Sequence, residues 1–252
     1  MSEATPKQID VLVVGAGFAG MYMLHRLRAL GVSAQVVEAG SDVGGTWYWN
    51  RYPGARCDVP SVEYSYSFSD ELQQDWDWSE VMAGQPEILE YANHVAERFD
   101  LRRDIKFDTR VTSAHYSEEQ RRWTVTTDAG DVYDAHYCVM ATGCLSMPNT
   151  PDIEGASDFE GAVYHTGQWP HEGVDFSEVS VGIIGTGSSG IQAIPVIAED
   201  AKHLTVFQRT PNYTMPAHNR QMTDEFRAEA KANYATIRQQ QRDSQAGIVG
   251  YR

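Results

Sequence analysis

Short unbroken apolar runs alternate along this chain with stretches of helical spacing, and that alternation defines the first elements. Residues 9–14 (IDVLVV) are a branched apolar run ending at Gly15, the pattern of a strand covered on both faces in a parallel sheet. Between Phe18 and Leu30, Met21, Leu24 and Leu27 fall three apart and Gly31 follows as a stop, which predicts a helix. Residues 34–38 (AQVVE) return as a second strand. Strand, helix, strand in so short a span is the right-handed crossover of a doubly wound α/β fold.

From Trp47 to Trp78 the chain carries nine aromatics in 32 residues, with Pro53, Gly54 and Pro60 breaking any period, and reads as an ordered loop region. Pro86 in a first turn and the stripe Ile88, Ala92, Val95, Phe99 predict a helix over 86–99. Residues 105–116, 123–127 and 131–133 read as strands of a small antiparallel meander, the last two joined by a turn at Asp128, Ala129 and Gly130. Residues 137–141 (YCVMA) predict another buried strand, stopped by Gly143. The proline-rich stretch 145–173 reads as a connection between lobes. A second strand, helix, strand unit then opens at 179–184, with a helix to about Ala198 and a strand at 204–208. Over 223–241, Thr223 as N-cap, acids in the first turn and the seam Phe226, Ala230, Tyr234, Ile237 predict a polar helix.

With 42% hydrophobic residues in 252, the chain can bury a core and is neither disordered nor fibrous. Its 35 acids against 20 Lys and Arg leave a formal charge of -15, which disfavours a nucleic-acid partner or an anionic membrane. Cys57, Cys138 and Cys144 lack CxxC or Cys/His spacing, so neither a disulfide framework nor a metal site is expected, and a reducing cytoplasm fits best. No apolar run approaches the roughly 18 residues of a membrane span, and MSEATPKQID has no apolar signal region. The expectation is an unexported chain without a membrane partner.

Chemistry concentrates in two glycine motifs. Gly15, Ala16, Gly17, Phe18, Ala19 and Gly20 join the first strand to the first helix, and Glu38 stands eighteen residues past Gly20. Gly15 permits the tight turn, Gly17 lets backbone approach a pyrophosphate, Gly20 allows close helix packing, and Glu38 would accept ribose hydroxyls. As an alternative, Glu38 is a solvated acid at a strand end. The second motif is Gly185, Thr186, Gly187, Ser188, Ser189 and Gly190, and nineteen residues beyond it stands Arg209 in place of an acid. Arg209, with Thr210 beside it, suits a 2'-phosphate, whereas an acid there would repel one; otherwise it is a surface residue. Two dinucleotide sites with opposite selectors imply FAD and NADPH. The expected fold class is therefore α/β, with two dinucleotide-binding, Rossmann-like units and a small antiparallel β-meander. Residues 1–145 are assigned to the FAD domain and 146–252 to a linker and the NADPH domain. The second unit offers two parallel strands where such a half normally has three, and the tail Ile248, Val249, Gly250, Tyr251, Arg252 supplies no closing strand. The expectation is a fold incomplete at its C-terminus, from a fragment or a truncated gene product.

Between the two motifs, residues 159–170 (FEGAVYHTGQWP) fit the pattern FxGxxxHxxxWP. With GGTWYWNRYPGARCDVPS at 44–61, YSYSF at 64–68, ATG at 141–143 and FQRTPN at 207–212, the chain resembles the N-terminal half of the Baeyer-Villiger monooxygenases. The resemblance implies that Gly15, Gly17, Phe18, Glu38, Thr46, Trp47, Asp58, Tyr64 and Val111 contact FAD. It implies that Arg56, Asp58, Gly185, Thr186, Gly187, Ser188, Ser189, Gly190, Ile191, Arg209 and Thr210 hold NADPH. Asp58 would be the residue of catalytic interest, near the flavin and orienting an active-site arginine and the nicotinamide; by itself, Asp58 before Val59 and Pro60 could equally fix a turn. That arginine has no counterpart in register and is expected beyond Arg252, so the 252 residues alone are expected to bind nucleotide with little turnover. His165 fits a hinge role better than proton transfer.

The implied reaction is oxygenation of a small-molecule ketone or aldehyde to an ester or lactone by NADPH and dioxygen. Oxidation of nitrogen or sulfur by a related flavin enzyme, and a non-catalytic nucleotide-binding remnant, stay open as alternatives. Trp169 is the feature that favours the first over the second.

Overall fold

The apolar run that ends at Gly15 is the centre of a six-stranded sheet. In the computed structural model, which describes residues 5–250, this run is β1 (Lys7–Val14), flanked in parallel by β2 (Ala34–Val37) and β6 (Val132–Met140). The order is β3-β2-β1-β6-β5-β4, with β3 (Ile105–Lys106), β4 (Val111–Ser117) and β5 (Arg122–Thr127). Leu12 and Val13, successive residues that point to opposite faces of the sheet, are both fully buried, so β1 is covered on both faces and its unbroken apolar run follows. Helix α1 (Phe18–Ala29) buries Met21 and Leu24, two of the three leucine and methionine positions read from its spacing. On the meander side, Leu12, Val37, Val125, Tyr133 and Ala135 form one core.

Two expectations about strands are corrected. The stretch 105–116 is two strands. After β3, Asp108 adopts a positive φ of 50°, and Thr109 donates its amide to the Glu38 carbonyl before β4 starts in the antiparallel sense. Conversely, 131–133 and 137–141 belong to one strand, because β6 pairs with β1 from Tyr133 through Met140. Its antiparallel pairing with β5 ends at Ala135, so the later half has one edge without a strand. Tyr137 and Met140 are consequently 67% and 55% exposed, not buried as their apolar run suggested. The turn at 128–130 is as read, with Gly130 at φ +81°.

The chain separates into two compact units, Met1–Asn50 with Ala92–Gln168 and Arg51–Tyr91 with Trp169–Arg252. The six-stranded sheet belongs to the first, which also holds the four-residue helix α2 (Thr46–Trp49). The second contains α3 (Asp70–Asp75), and α4 (Gln85–Arg98) carries the chain from one to the other. Within the second unit β7 (Ser180–Ile184) pairs in parallel with β8 (His203–Phe207), joined through α5 (Ser188–Asp200). Trp169, Phe176, Ala193 and Ile197 form its core, so the tryptophan of the 159–170 pattern is an anchor on α5. The aromatic stretch also packs here: Trp76, Trp78 and Tyr91 have ring centroids 5.0–5.7 Å apart. Helix α6 (Asp224–Asp243) is capped by Thr223, whose hydroxyl accepts from the Phe226 amide. Its Arg238 is buried and donates to Gln73 Oε1 at 2.8 Å and Ser65 Oγ at 2.9 Å, with the guanidinium over the Tyr234 ring. Residues 1–4, Tyr251 and Arg252, on which the readings of a missing signal and closing strand partly rested, lie outside the described residues. Among the described residues no helix is long and apolar enough to cross a membrane, and no cluster of ligating side chains could hold a metal ion.

Candidate functional site

In the first unit the glycine loop is clamped from within. Gly15 sits at φ +105°, its amide donating to the Val37 carbonyl at 2.8 Å, and a Cβ there would meet the Ala141 oxygen at 2.7 Å. The Glu38 carboxylate, only 5% exposed, accepts the Ala16 amide on one oxygen at 2.6 Å and the Gly40 amide on the other at 2.8 Å. It is therefore not a solvated strand-end acid; each oxygen holds one loop amide and keeps a lone pair for a further donor. The segment ahead of α2 closes on the loop: Gly44 donates to Ala16 O, and a Cβ at Gly17 would lie 3.3 Å from the Gly45 Cα. This brings Thr46 and the buried Trp47, the first residues of α2, up to Gly17 and Phe18, where α1 starts. Val111 opens β4 two residues after Thr109, which is bonded to Glu38.

The second unit repeats the geometry with a different surface. Gly185 has φ +104° and donates to the Phe207 carbonyl at 2.9 Å, as Gly15 does to Val37. No atom lies within 4 Å of a Cβ at Gly187, however, so its lack of a side chain leaves an open cradle in front of Ser188 and Ser189. Thr186 donates to Gln208 Oε1, Asn212 donates to the Thr186 carbonyl, and Ile191 is partly exposed one turn into α5. Arg209 and Thr210 follow β8 and are exposed. Among the described residues no ion pair engages the Arg209 guanidinium, although the chain carries a large acid excess.

Capping separates these two helices from α3 and α6. Ser69 and Thr223 cap α3 and α6 with their hydroxyls, and both first turns carry acids. Helices α1 and α5 begin at Gly17 and Gly187 with no side-chain cap and no acid in the first turn. Their orphan amides and positive dipole ends are left for an anion. FAD and a dinucleotide phosphate fit this donor set: glycine backbone, uncapped amides, a buried acid at one loop and an unpaired arginine at the other.

Asp58 and Tyr64, which the resemblance gives to FAD, and Arg56, which it gives to NADPH, lie in the second unit, whereas the other FAD residues lie in the first. Arg56 donates to Glu80 Oε2 at 3.0 Å and to the Met82 carbonyl, and Asn219 donates to the same Glu80 oxygen. Asp58 is exposed and its Oδ1 accepts from Gln192 Nε2 at 3.2 Å. Tyr64 is half-buried and its amide donates to the Pro60 carbonyl. Burial raises the neighbouring Cys57 thiol above its ordinary value, so a thiolate nucleophile is disfavoured. His165 Nδ1 accepts the Gly167 amide at 3.0 Å, closing a local turn just before the unit boundary at Gln168. Sequence reasoning missed Gln192, Asn212, Glu80 and Asn219. Asn212 closes the FQRTPN stretch but was given no role there. For the others, amides or an acid without a motif position, the one available signal was that Gln192 directly follows Ile191 just past the second glycine motif.

Residues 12–242 match the family described as pyridine nucleotide-disulphide oxidoreductase. A Baeyer-Villiger monooxygenase of Pseudooceanicola batsensis is 50% identical over 236 residues, 93% of this chain and 43% of that protein. Phenazine N-monooxygenase PhzNO1 of Lysobacter antibioticus is 44% identical over 229 residues, 90% of this chain and 42% of its own length. Among solved structures, oxidized steroid monooxygenase bound to NADP superposes with a TM-score of 0.93 at 60% identity, covering 96% of this chain and 46% of that one. The chain thus spans less than half the length of these relatives. With a family match over most of its residues, both uncapped glycine helices in place and monooxygenases as its relatives, the chain belongs to the pyridine nucleotide-disulphide oxidoreductase family.

Proposed function

We propose that this chain is the nucleotide-binding part of a flavin-dependent monooxygenase that turns ketones or aldehydes into esters or lactones with NADPH and dioxygen. The observation that carries the reading is the pair of uncapped glycine helices with opposite selectors, a buried Glu38 at one and an unpaired Arg209 at the other. Residues 1–145 are the FAD domain and 146–252 the linker and NADPH domain in this reading, and a solved relative is a complex with FAD and NADP. Bound FAD supplies the redox and oxygen-activating chemistry. Glu38 accepts from the adenosine ribose while its own loop bonds keep it in place. Gly15, Gly17, Phe18 and Gly20 present backbone to the pyrophosphate; Thr46, Trp47 and Val111 enclose the flavin, to which the resemblance also assigns Tyr64. Around NADPH, Gly185, Thr186, Gly187, Ser188, Ser189, Gly190 and Ile191 take the phosphates, and Arg209 with Thr210 takes the 2'-phosphate. Arg56 adds charge, and Asp58 orients the nicotinamide end. The acid-rich surface excludes nucleic acid, and the three free cysteines suit the cytoplasm.

The test is reconstitution of the chain with FAD, gel filtration, then titration with NADP+ and NAD+. A retained yellow cofactor and clear preference for NADP+ are expected; a colourless chain, or equal affinities, overturns the reading. A second reading, oxygenation at nitrogen, is favoured by the similarity to an N-monooxygenase. Assaying the full-length protein with a cyclic ketone and with an aromatic amine separates the two, through ester by gas chromatography against N-oxide by mass spectrometry.

A further inference from the structure

The side-chain amide of Gln192 is the most fully used polar group near the second glycine helix. Its Oε1 accepts from the Tyr52 hydroxyl at 2.8 Å and from the Arg56 amide at 3.3 Å; its Nε2 donates to the Arg56 carbonyl at 3.1 Å and to Asp58 Oδ1 at 3.2 Å. All four hydrogen-bonding positions of one amide are thereby spent on residues 52–58. Two of them pair with the N–H and C=O of the same residue, as a neighbouring strand would. The loop also approaches α5 closely at Gly54, whose φ is +77° and where a Cβ would fall 2.3 Å from the Gln192 carbonyl oxygen. Backbone contact alone would leave the loop free to slide along the helix. The Gln192 side chain fixes its register.

We propose that Gln192 is a positioning residue: it holds the backbone of Arg56 and the carboxylate of Asp58 at a fixed place relative to the second glycine loop, so that the nicotinamide end of the dinucleotide is oriented together with its phosphates. The nucleotide part of this statement rests on the function proposed above; the fixing of the loop does not. An amide suits this task because it offers two acceptor and two donor positions at once, which no carboxylate or hydrocarbon chain of that length does. The charged and titratable groups that face it are Tyr52, Arg56 and Asp58.

Two substitutions test it. Gln192→Met keeps length and removes all four bonds; Gln192→Glu keeps the acceptors and turns the donor toward Asp58 into a second carboxylate. The first measurement needs no nucleotide. Hydrogen exchange at the Arg56 amide is expected to rise at least tenfold in Gln192→Met, while the Cys57 amide, bonded to the Ala83 carbonyl, stays protected. Unchanged Arg56 exchange overturns the proposal. The second compares NADP+ with 2',5'-ADP, a probe lacking the nicotinamide end. Affinity for NADP+ is expected to fall about tenfold with 2',5'-ADP unaffected, whereas equal losses mean that the helix itself was damaged and overturn the positioning role. For Gln192→Glu the NADP+ deficit, taken against the unsubstituted chain at each pH, is expected to shrink as pH falls and the new acid regains a proton to donate. A deficit independent of pH also counts against it. If the unsubstituted chain binds neither probe while the Arg56 exchange result holds, the function proposed above fails and the fixing of the loop stands.

Discussion

Gly20, the third glycine of the first motif, and Gly187, the second glycine of the second, make opposite demands on the folded chain, and a pair of alanine substitutions measures the difference. Gly190, in the place equivalent to Gly20, is packed as Gly20 is, with a Cβ 2.5 Å from the Gly185 oxygen. At Gly20 a Cβ would lie 1.8 Å from the Gly15 oxygen and 3.0 Å from its carbon. A carbon-to-oxygen contact normally sits near ~3.3–3.6 Å, and both obstructing atoms are backbone, so the helix must move off the strand. Overpacking of this kind costs about 1–3 kcal/mol, and an overlap this deep belongs at the top of that range. At Gly187 a Cβ meets nothing within 4 Å and φ is -73°, a value open to any residue. The remaining penalty is the loss of a glycine N-cap, about 0.5–1 kcal/mol. Urea unfolding followed by circular dichroism, with exchange of peptides from β1 and β7 to locate the change, should place Gly20→Ala at least ~1 M below the unsubstituted midpoint. Gly187→Ala should stay within a few tenths of that midpoint, for slopes of about 2–3 kcal/mol/M. Titration with NADP+ should reverse the ranking, since the Gly187 methyl group would stand where a phosphate approaches. Greater destabilisation by Gly187→Ala, or undiminished NADP+ binding in it, would refute the argument that Gly20 lacks a side chain for packing and Gly187 for a ligand.

Replacing Arg209 with alanine should weaken NADP+ about ten- to 150-fold and NAD+ little, the range for losing one charge-assisted contact of roughly 1.5–3 kcal/mol; equal losses in the two titrations would remove Arg209 as selector. Glu38→Arg places a cation where two loop amides point, and should yield a chain without flavin after gel filtration. A hydrogen bond from Lys106 above all holds Asp131 below the ordinary carboxylate value; desolvation opposes it, and a hydrogen bond from Lys7 and the charges of both lysines add to the lowering. Its contribution to stability is therefore complete above the unfolded value of about 3.9 and lost as pH falls through the lower folded value. Asp131→Asn should flatten the dependence of the urea midpoint on pH below about 4, and an unchanged slope would assign the acid sensitivity elsewhere.

Elements ruled by one neighbour on each side were readable from the sequence. β1 and α1 follow from an unbroken apolar run and a three-residue spacing, and Glu38 from its distance past Gly20. What escaped was anything set by pairing far along the chain. Residues 134–136 (DAH) broke the apolar pattern and divided β6 in the reading. In the folded chain, Asp134 is ion-paired with Arg122 and bonded by Gln8 at 2.6 Å, which lets a strand carry an acid at its middle. Gln192 escaped for a similar reason: an amide on a helix reads as solvated until the loop 140 residues earlier is seen against it. The buried Arg238 was invisible because its partners Gln73 and Ser65 lie in the aromatic stretch, where no period could be assigned.

The discontinuous make-up of the second unit has a consequence for a ribosome working from the N-terminus. Residues 51–91, dense in tryptophan and tyrosine, leave the exit tunnel almost a hundred residues ahead of α5 and still further ahead of α6, the helices against which they settle. At synthesis rates of about 5–20 residues per second, that sticky stretch waits about 5–20 s without its packing partners. The β1–β6 sheet, by contrast, has every strand in hand once Met140 has emerged. Nascent chains stalled between Met140 and Ser188 should accordingly hold a protease-resistant sheet while exposing the 51–91 stretch, which makes that interval the window in which a holding chaperone matters most.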